Sequence, residues 1–472
     1  MTPHPHHYPM QKSIPTIPLK PAALTRRDFL KSSAAAVAAL SLPTFIPASA
    51  FGAGNRIALG CIGVGGMGVG NMKSFLGLDD CRVVAVCDVY ADRRRKAKEL
   101  ADAHYGDRGC EMYADYRSLI ARPDIDAVMI AAQDHWHALM ATAAAAAGKD
   151  LYCEKPMGVS VEQGQQIRRA VRKHRRVFQA GTWQRSQGKF RQACALVRNG
   201  YLGQLREIQV AAPGPEYQPK YAGSLEPQPV PAGFDWEMWR GPAPAQPYNL
   251  GRVAWPDWYL IWDYCAGFIC NWGVHYLDIA AWGCPALARE ACEIQCQGVY
   301  RKQGFTDNLE RWQATFTFAS GLRMRFTDCS SERELQTGTR FIGDQGWVHV
   351  SRAGISAEPQ SLLRVLLRPG ETHLYPVTGP GEDVVLIKKE TGDRAAFKDL
   401  NHGQNFLDCI RSRQDPISDV DATHVASYLG LLAEIAARLE TRLKWDPVKE
   451  KFIGNREANR RLRRPLYNGW KL

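Results

Sequence analysis

The run Arg56-Ile-Ala-Leu-Gly-Cys-Ile-Gly63-Val-Gly65-Gly66-Met-Gly68 decides the fold, because an apolar stretch empties directly into glycines spaced G-x-G-x-x-G. Ile57 to Ile62 reads as a buried parallel strand. Gly63 permits a tight turn, Gly65 lets backbone approach a pyrophosphate, and Gly68 lets the following helix pack closely on the strand. The free N–H groups and positive dipole end of that helix make an anion site without a basic side chain. Gly63, Val64, Gly65, Gly66, Met67 and Gly68 are therefore candidate cofactor contacts.

A glycine turn alone is common, and many such turns bind nothing. Here a second apolar run, Arg82-Val-Val-Ala-Val-Cys-Asp88, follows at a βαβ distance and ends in an acid. A carboxylate at that place holds ribose hydroxyls and repels a ribose phosphate, which favours NAD and leaves NADP as the alternative. Arg93, Arg94 and Arg95 soften that rule if they face the site; on a solvated helix face they do not.

Further strands are expected over Ile125–Ala132, ending at Gln133-Asp134-His135-Trp136-His137, and over Asp150–Cys153, ending at Glu154-Lys155-Pro156. In an open α/β sheet ligands gather at the carboxyl ends of the strands. Asp88, His135, Glu154 and Lys155 are thus expected around one crevice, with Trp136, His137 and Gln184 as weaker candidates. A helix over Val161–His174 and a strand over Val177–Ala180 complete a first domain of residues 55–180.

After residue 180 the pattern changes to mostly sequential strands near 205–212, 291–300, 310–319, 321–328 and 341–350, read as a largely antiparallel sheet. A Pro-rich excursion over 213–247 is expected to lie on that sheet, and Asp421 to cap a late amphipathic helix. Residues 181–472 form the second domain on this reading.

Residues 1–50 stand apart from the fold. Thr25-Arg26-Arg27-Asp28-Phe29-Leu30-Lys31, a short Ala-rich apolar region and Ala48-Ser49-Ala50 have the order of a twin-arginine export signal. The apolar region is too short to span a membrane, so no stable membrane insertion is expected. Without those residues the net charge falls from +12 to +8. The remaining basic clusters lack interleaved aromatics or a recognisable nucleic-acid module, so nucleic acid is not an expected partner. The thirteen cysteines include no C-x-x-C and do not form a disulfide framework, although Cys265 with Cys270, or Cys292 with Cys296, can be paired on paper. His135 and His137 lack a supporting carboxylate or cysteine cluster at metal-ligand spacing, so no metal is expected. Seven of the thirteen tryptophans lie between Trp236 and Trp282. One or two of these are expected at a sugar site and the rest in packing.

The glycine motif, Glu154-Lys155-Pro156 and Gly273-Val-His275, in that order, resemble the glucose-fructose oxidoreductase and inositol dehydrogenase family, Gfo/Idh/MocA. Asp134-His-Trp-His137, Gly181-Thr-Trp-Gln-Arg-Ser186 and Trp445-Asp-Pro look like an exported bacterial branch. The resemblance implies a Rossmann domain joined to an α+β domain with an open-faced sheet, homo-oligomers, and nicotinamide-dependent chemistry on sugars or polyols. It also implies catalytic roles for Lys155 and His275. Taken alone, Lys155 is equally a strand-end partner of Glu154, and His275 a structural histidine. Chemically, oxidising a secondary alcohol needs a base for the hydroxyl proton and a cation beside the developing alkoxide, which a neutral histidine and a lysine supply.

The chain departs from the family pattern four residues before His275, where an aspartate is usual and Asn271 stands. Asparagine orients but carries no charge and takes no proton. Asn271 is kept as a third catalytic candidate, and Lys155, Arg185, Trp272 and His275 as substrate contacts. The expected activity is oxidation of a secondary hydroxyl of a sugar, glycoside or polyol by an exported enzyme. The alternatives are a redox-cycling glycoside-cleaving enzyme and a non-catalytic sugar- or nucleotide-binding protein.

Overall fold

The computed structural model describes residues 56–214, 225–301, 304–331, 335–374, 384–387 and 394–472; the export signal lies outside them. Six parallel strands form the first sheet: β1 (Ile57–Ile62), β2 (Cys81–Cys87), β3 (Glu111–Tyr113), β4 (Ala127–Ile130), β5 (Asp150–Cys153) and β6 (Phe178–Ala180). Their order is β3-β2-β1-β4-β5-β6, so the direction of winding reverses between β1 and β4. The register places Ile62 opposite Cys87 and Ile130, and Ile130 opposite Cys153. Consequently Gly63, Asp88, Ala131 and Glu154 all leave the sheet along one edge. The short, exposed β3 carries no apolar pattern and was not expected from sequence.

The second sheet contains β7 (Leu205–Ala212), β8 (Cys292–Tyr300), β9 (Leu309–Phe318), β10 (Arg323–Asp328), β11 (Gly338–Gly343), β12 (Gly346–Val350) and β13 (Ile355–Glu358). A separate hairpin, β14 (Val384–Ile387) with β15 (Arg394–Phe397), precedes β16 (Leu443–Asp446) and β17 (Lys451–Phe452), which extend the second sheet's far edge. The nine strands run β13-β12-β11-β7-β10-β9-β8-β16-β17. The sheet is antiparallel except at its centre, where β10 lies parallel to β7. A long crossover between those two strands makes that pairing possible, and it holds the helices Phe268–Asn271 and Gly273–Gly283. The second of these helices and the helix Val420–Leu439 bury Tyr276, Leu277, Ile279, Leu429 and Leu432 against Phe316, Met324, Phe326 and Phe341 of the sheet.

Two expectations need correction. Asp419, not Asp421, caps the late helix, accepting from the N–H groups of Asp421 and Ala422; the cap must precede the first helical residue, Val420. The part of the Pro-rich excursion within the described residues lies on the first domain: Ala91 N–H donates to Gly233 O, Asp235 N–H donates to Val89 O, and Phe234 stacks on Tyr90 at 4.0 Å. Its aromatic residues Phe234, Trp236 and Trp239 pack there with Tyr248 and Tyr264, which follow it in sequence, and with Val89 and Tyr90. On the pairings that the sequence leaves open, all thirteen cysteines are free. Cys292 and Cys296 stand at opposite ends of about 13 Å of strand, and the buried Cys265 thiol points to Asp134.

The chain also returns to the first sheet. Phe406, Leu407 and Cys409 of the helix His402–Ser412 join Leu59, Phe75 and Met129 in one core, while Leu466 and Trp470 pack against another beside Trp136. No helix among the described residues is long and apolar enough to cross a membrane.

Candidate functional site

A cavity of about 650 Å³ opens along the carboxyl edge of the first sheet, lined from Gly63 and Gly65 at one end to Glu154, Lys155, Tyr259 and Asn271 at the other. Its volume falls within the range of small-molecule sites.

The glycine end is made of backbone. Gly63 has φ +78°, and a Cβ there would lie 2.7 Å from the backbone of Ala131. A Cβ on Gly68 would lie 1.7 Å from the Gly63 carbonyl oxygen, so strand, turn and helix fit only without side chains. Gly66 has nothing within 4 Å of its missing Cβ, and Met67 is 60% exposed. That open cradle at a helix N-terminus, beside a buried acid, fits a dinucleotide pyrophosphate. Asp88 accepts from the N–H of Val64 at 3.0 Å and of Tyr90 at 2.9 Å, which ties the turn to β2. Burial raises its carboxyl above the usual range, opposed chiefly by the Arg93 guanidinium and these N–H groups. The three arginines divide: Arg93 lines the cavity over the Tyr90 ring at 4.0 Å, Arg94 donates to Asp88 O, and Arg95 pairs with Asp92 and Glu99 at the surface.

At the other end Lys155 does not pair with Glu154. Glu154 instead accepts from Asn71 Nδ2 at 2.9 Å, and Lys155 Nζ donates to Asn271 Oδ1 at 3.1 Å and Asn271 O at 3.3 Å. Asn271 Nδ2 donates to both oxygens of Asp134 at 3.2 Å. Tyr259 adjoins Asn271, and burial holds its phenol well above the usual range, as a neutral donor. Trp255, half exposed, and Trp258 supply aromatic surface to the same cavity.

Several sequence candidates do not reach the cavity wall. His135 is buried with its ring nitrogens facing the carbonyls of Tyr264 and Trp239 at 3.3 and 3.2 Å, where burial lowers its pKa to about 4. It joins the aromatic excursion to the first sheet, while His137 and Trp136 line the cavity. Arg185 forms a buried two-pronged pair with Asp278 at 2.7 and 2.8 Å, so its donors are engaged away from the cavity. Trp272 stacks against the Arg352 guanidinium at 4.8 Å. His275 is only 4% exposed and lies behind that wall. Burial, then Lys155 and Arg352, hold its imidazole well below its ordinary pKa, and its Nδ1 has no hydrogen-bond partner among the described residues. Sequence reasoning missed Tyr90 and Tyr259 as lining groups, and also Asp134; of the three arginines it named beside Asp88, Arg93 lines the cavity. Asp134 did carry a signal, since it follows a buried strand at the same sheet edge as Asp88 and Glu154.

The fold and cradle define a two-domain protein with a nucleotide-binding Rossmann half. Residues 57–182 match the oxidoreductase family's NAD-binding Rossmann fold, and residues 186–335 and 393–472 its C-terminal alpha/beta domain. The chain belongs to the Gfo/Idh/MocA family. Residues 23–43 match the twin-arginine translocation signal, which marks the chain for export. An inositol 2-dehydrogenase of Pseudomonas syringae is 32% identical over 170 residues, 35% of this chain and 48% of that protein. A glycosyl hydrolase family 109 protein of Shewanella amazonensis is 33% identical over 162 residues, 30% of this chain and 35% of that protein. The match thus spans about half the length, or less, of these curated relatives. Among solved structures, aldose-aldose oxidoreductase of Caulobacter crescentus aligns with TM-score 0.57 and 19% identity over 82% of this chain and 99% of that one. Myo-inositol 2-dehydrogenase of Lactobacillus plantarum aligns with TM-score 0.53 and 16% identity over 82% and 98%. At such identities the likeness is one of fold.

Proposed function

We propose that the chain is an exported nicotinamide-dependent oxidoreductase that oxidises a secondary hydroxyl of a sugar, glycoside or polyol, or reduces the corresponding ketone. The observation that carries this reading is one cavity with a phosphate cradle at one end and the Lys155 ammonium at the other. Gly63 to Gly68 would hold the pyrophosphate and Asp88 the ribose hydroxyls, which favours NAD; Arg93 beside the cradle narrows that preference. A dinucleotide held there would supply the hydride acceptor for the carbinol carbon. Lys155 has three N–H groups, two of them directed at Asn271, which leaves one for the reacting oxygen. Placed there, it stabilises a developing alkoxide. His275, neutral behind the cavity wall, would receive the proton only by relay and not from the alcohol directly. Trp255 and Trp258 offer flat apolar faces to a sugar ring.

A second reading, cleavage of a glycoside by transient oxidation, elimination and return of the hydride, is favoured by the likeness to the family 109 protein. One experiment tests both. Protein isolated from the periplasm is mixed with NAD or NADP and a panel of polyols, sugars and chromogenic glycosides. Accumulation of reduced nicotinamide, seen in near-ultraviolet absorbance, is expected for the first reading. Release of the chromophore without such accumulation would replace it with the second, and absence of both, with no nucleotide bound, would overturn both.

A further inference from the structure

We propose that Asp134 is a positioning residue for the reaction, supplying from the nucleotide half the negative charge that position 271 lacks, with Asn271 linking it to Lys155. The inference rests on Lys155 as the catalytic cation.

Asp134 begins a short turn, Asp134–Trp136, directly beyond β4. It is 2% exposed, yet it lines the cavity. No basic side chain among the described residues lies within ion-pairing distance of it. Its carboxylate is held by Asn271 Nδ2 and by the Cys265 thiol, 3.1 Å away. Burial keeps that thiol protonated and able to donate. A buried carboxylate without a cation is costly, and the cation nearest along the hydrogen-bond chain is Lys155, one amide away.

The amide has only one workable orientation. An ionised carboxylate accepts only and an ammonium donates only, so the NH2 of Asn271 must face Asp134 and its oxygen must face Lys155. A carboxylate at 271 would oppose Asp134 at about the present 3.2 Å, and two carboxylates so close cannot both ionise readily. Asparagine at 271 and aspartate at 134 therefore belong together. The carboxylate stands on the nucleotide half, one amide away from the lysine.

The test exchanges these residues. Lys155 reactivity towards acetic anhydride is followed across pH by peptide mass spectrometry on the full chain, without substrate, for wild type, Asp134→Asn, Asn271→Asp and the double exchange. Loss of the carboxylate is expected to move the pH of half-maximal Lys155 labelling down by about one unit. The double exchange, which keeps one carboxylate and one amide and sets the carboxylate directly against Lys155, should return it to the wild-type value or above. Altered exposure would change the labelling plateau and leave the midpoint in place. An unmoved midpoint in Asp134→Asn overturns the proposal, as does a double exchange that folds and fails to restore it. Should Asp134→Asn not fold, Asn271→Leu severs the same link and must also move the midpoint. Other groups near Lys155, namely Glu154, Tyr259 and His275, are common to all variants. Labelling that follows the exchange in a protein that turns over no alcohol would support the linkage while refuting the oxidoreductase reading.

Discussion

The two ends of the cavity are built by opposite means. The glycine end is backbone: a strand, a turn and a helix start, fitted so closely that Gly63 and Gly68 have no room for a methyl group. The lysine end is a network of side chains from Asp134, Lys155, Cys265 and Asn271, brought together from both domains. A backbone site tolerates side-chain replacement and fails when a Cβ is added. A side-chain site fails at any one donor, while the fold around it persists.

The largest effects should separate the two ends. Lys155→Ala is expected to lower turnover by about 10³-fold and to leave dinucleotide affinity within roughly threefold. Gly68→Ala should weaken dinucleotide binding by on the order of 100-fold, since its Cβ would overlap the Gly63 carbonyl and displace the turn. Binding by fluorescence titration and turnover of the same preparations decide it. A Lys155 variant that loses the nucleotide, or a Gly68 variant that keeps it, would break the contrast.

The next effect concerns the seam between the aromatic excursion and the first sheet. His135 titrates near 6.5 when unfolded and at about 4 in the native protein. Between those values the unfolded chain binds the extra proton, so stability falls as pH falls, by up to about 3 kcal/mol. Urea unfolding at pH 7, 5.5 and 4.5 should show this loss in wild type and a shallower one in His135→Gln. Equal slopes would remove His135 from the account.

The smallest effect sharpens the glycine end. Asp88→Ala should weaken NAD by roughly tenfold and NADP by less, as measured by competition titration. Arg93 already stands beside the cradle, so the wild-type preference should be modest. An unchanged preference would count against ribose recognition by Asp88.

What could be read in advance follows the same division. The glycine turn, β1, β2, β4 and the hairpin β11–β12 depend on neighbouring residues, and local pattern discloses them. The β7–β10 pairing, the excursion against Tyr90 and the Asp134–Asn271–Lys155 chain depend on residues far apart in sequence. Lys155 was legible as a strand-end cation. Its partner was not, because Lys155 and Asn271 are 116 positions apart, and Asn271 and Asp134 a further 137. Arg185 and Trp272 were chosen by type, and their nearer partners, Asp278 and Arg352, were invisible until folded.

The return of Phe406 and Leu407 to the core of the first sheet bears on the order of synthesis. Residues 57–180 leave the ribosome more than 200 residues before those side chains exist, an interval on the order of 10–40 s at bacterial and cellular elongation rates. Throughout it the nucleotide half must wait with an apolar face open. Export by the twin-arginine route, which carries folded cargo, therefore has to follow translation of nearly the whole chain, and a nascent chain stalled before residue 400 should be a substrate for chaperones rather than for the translocon.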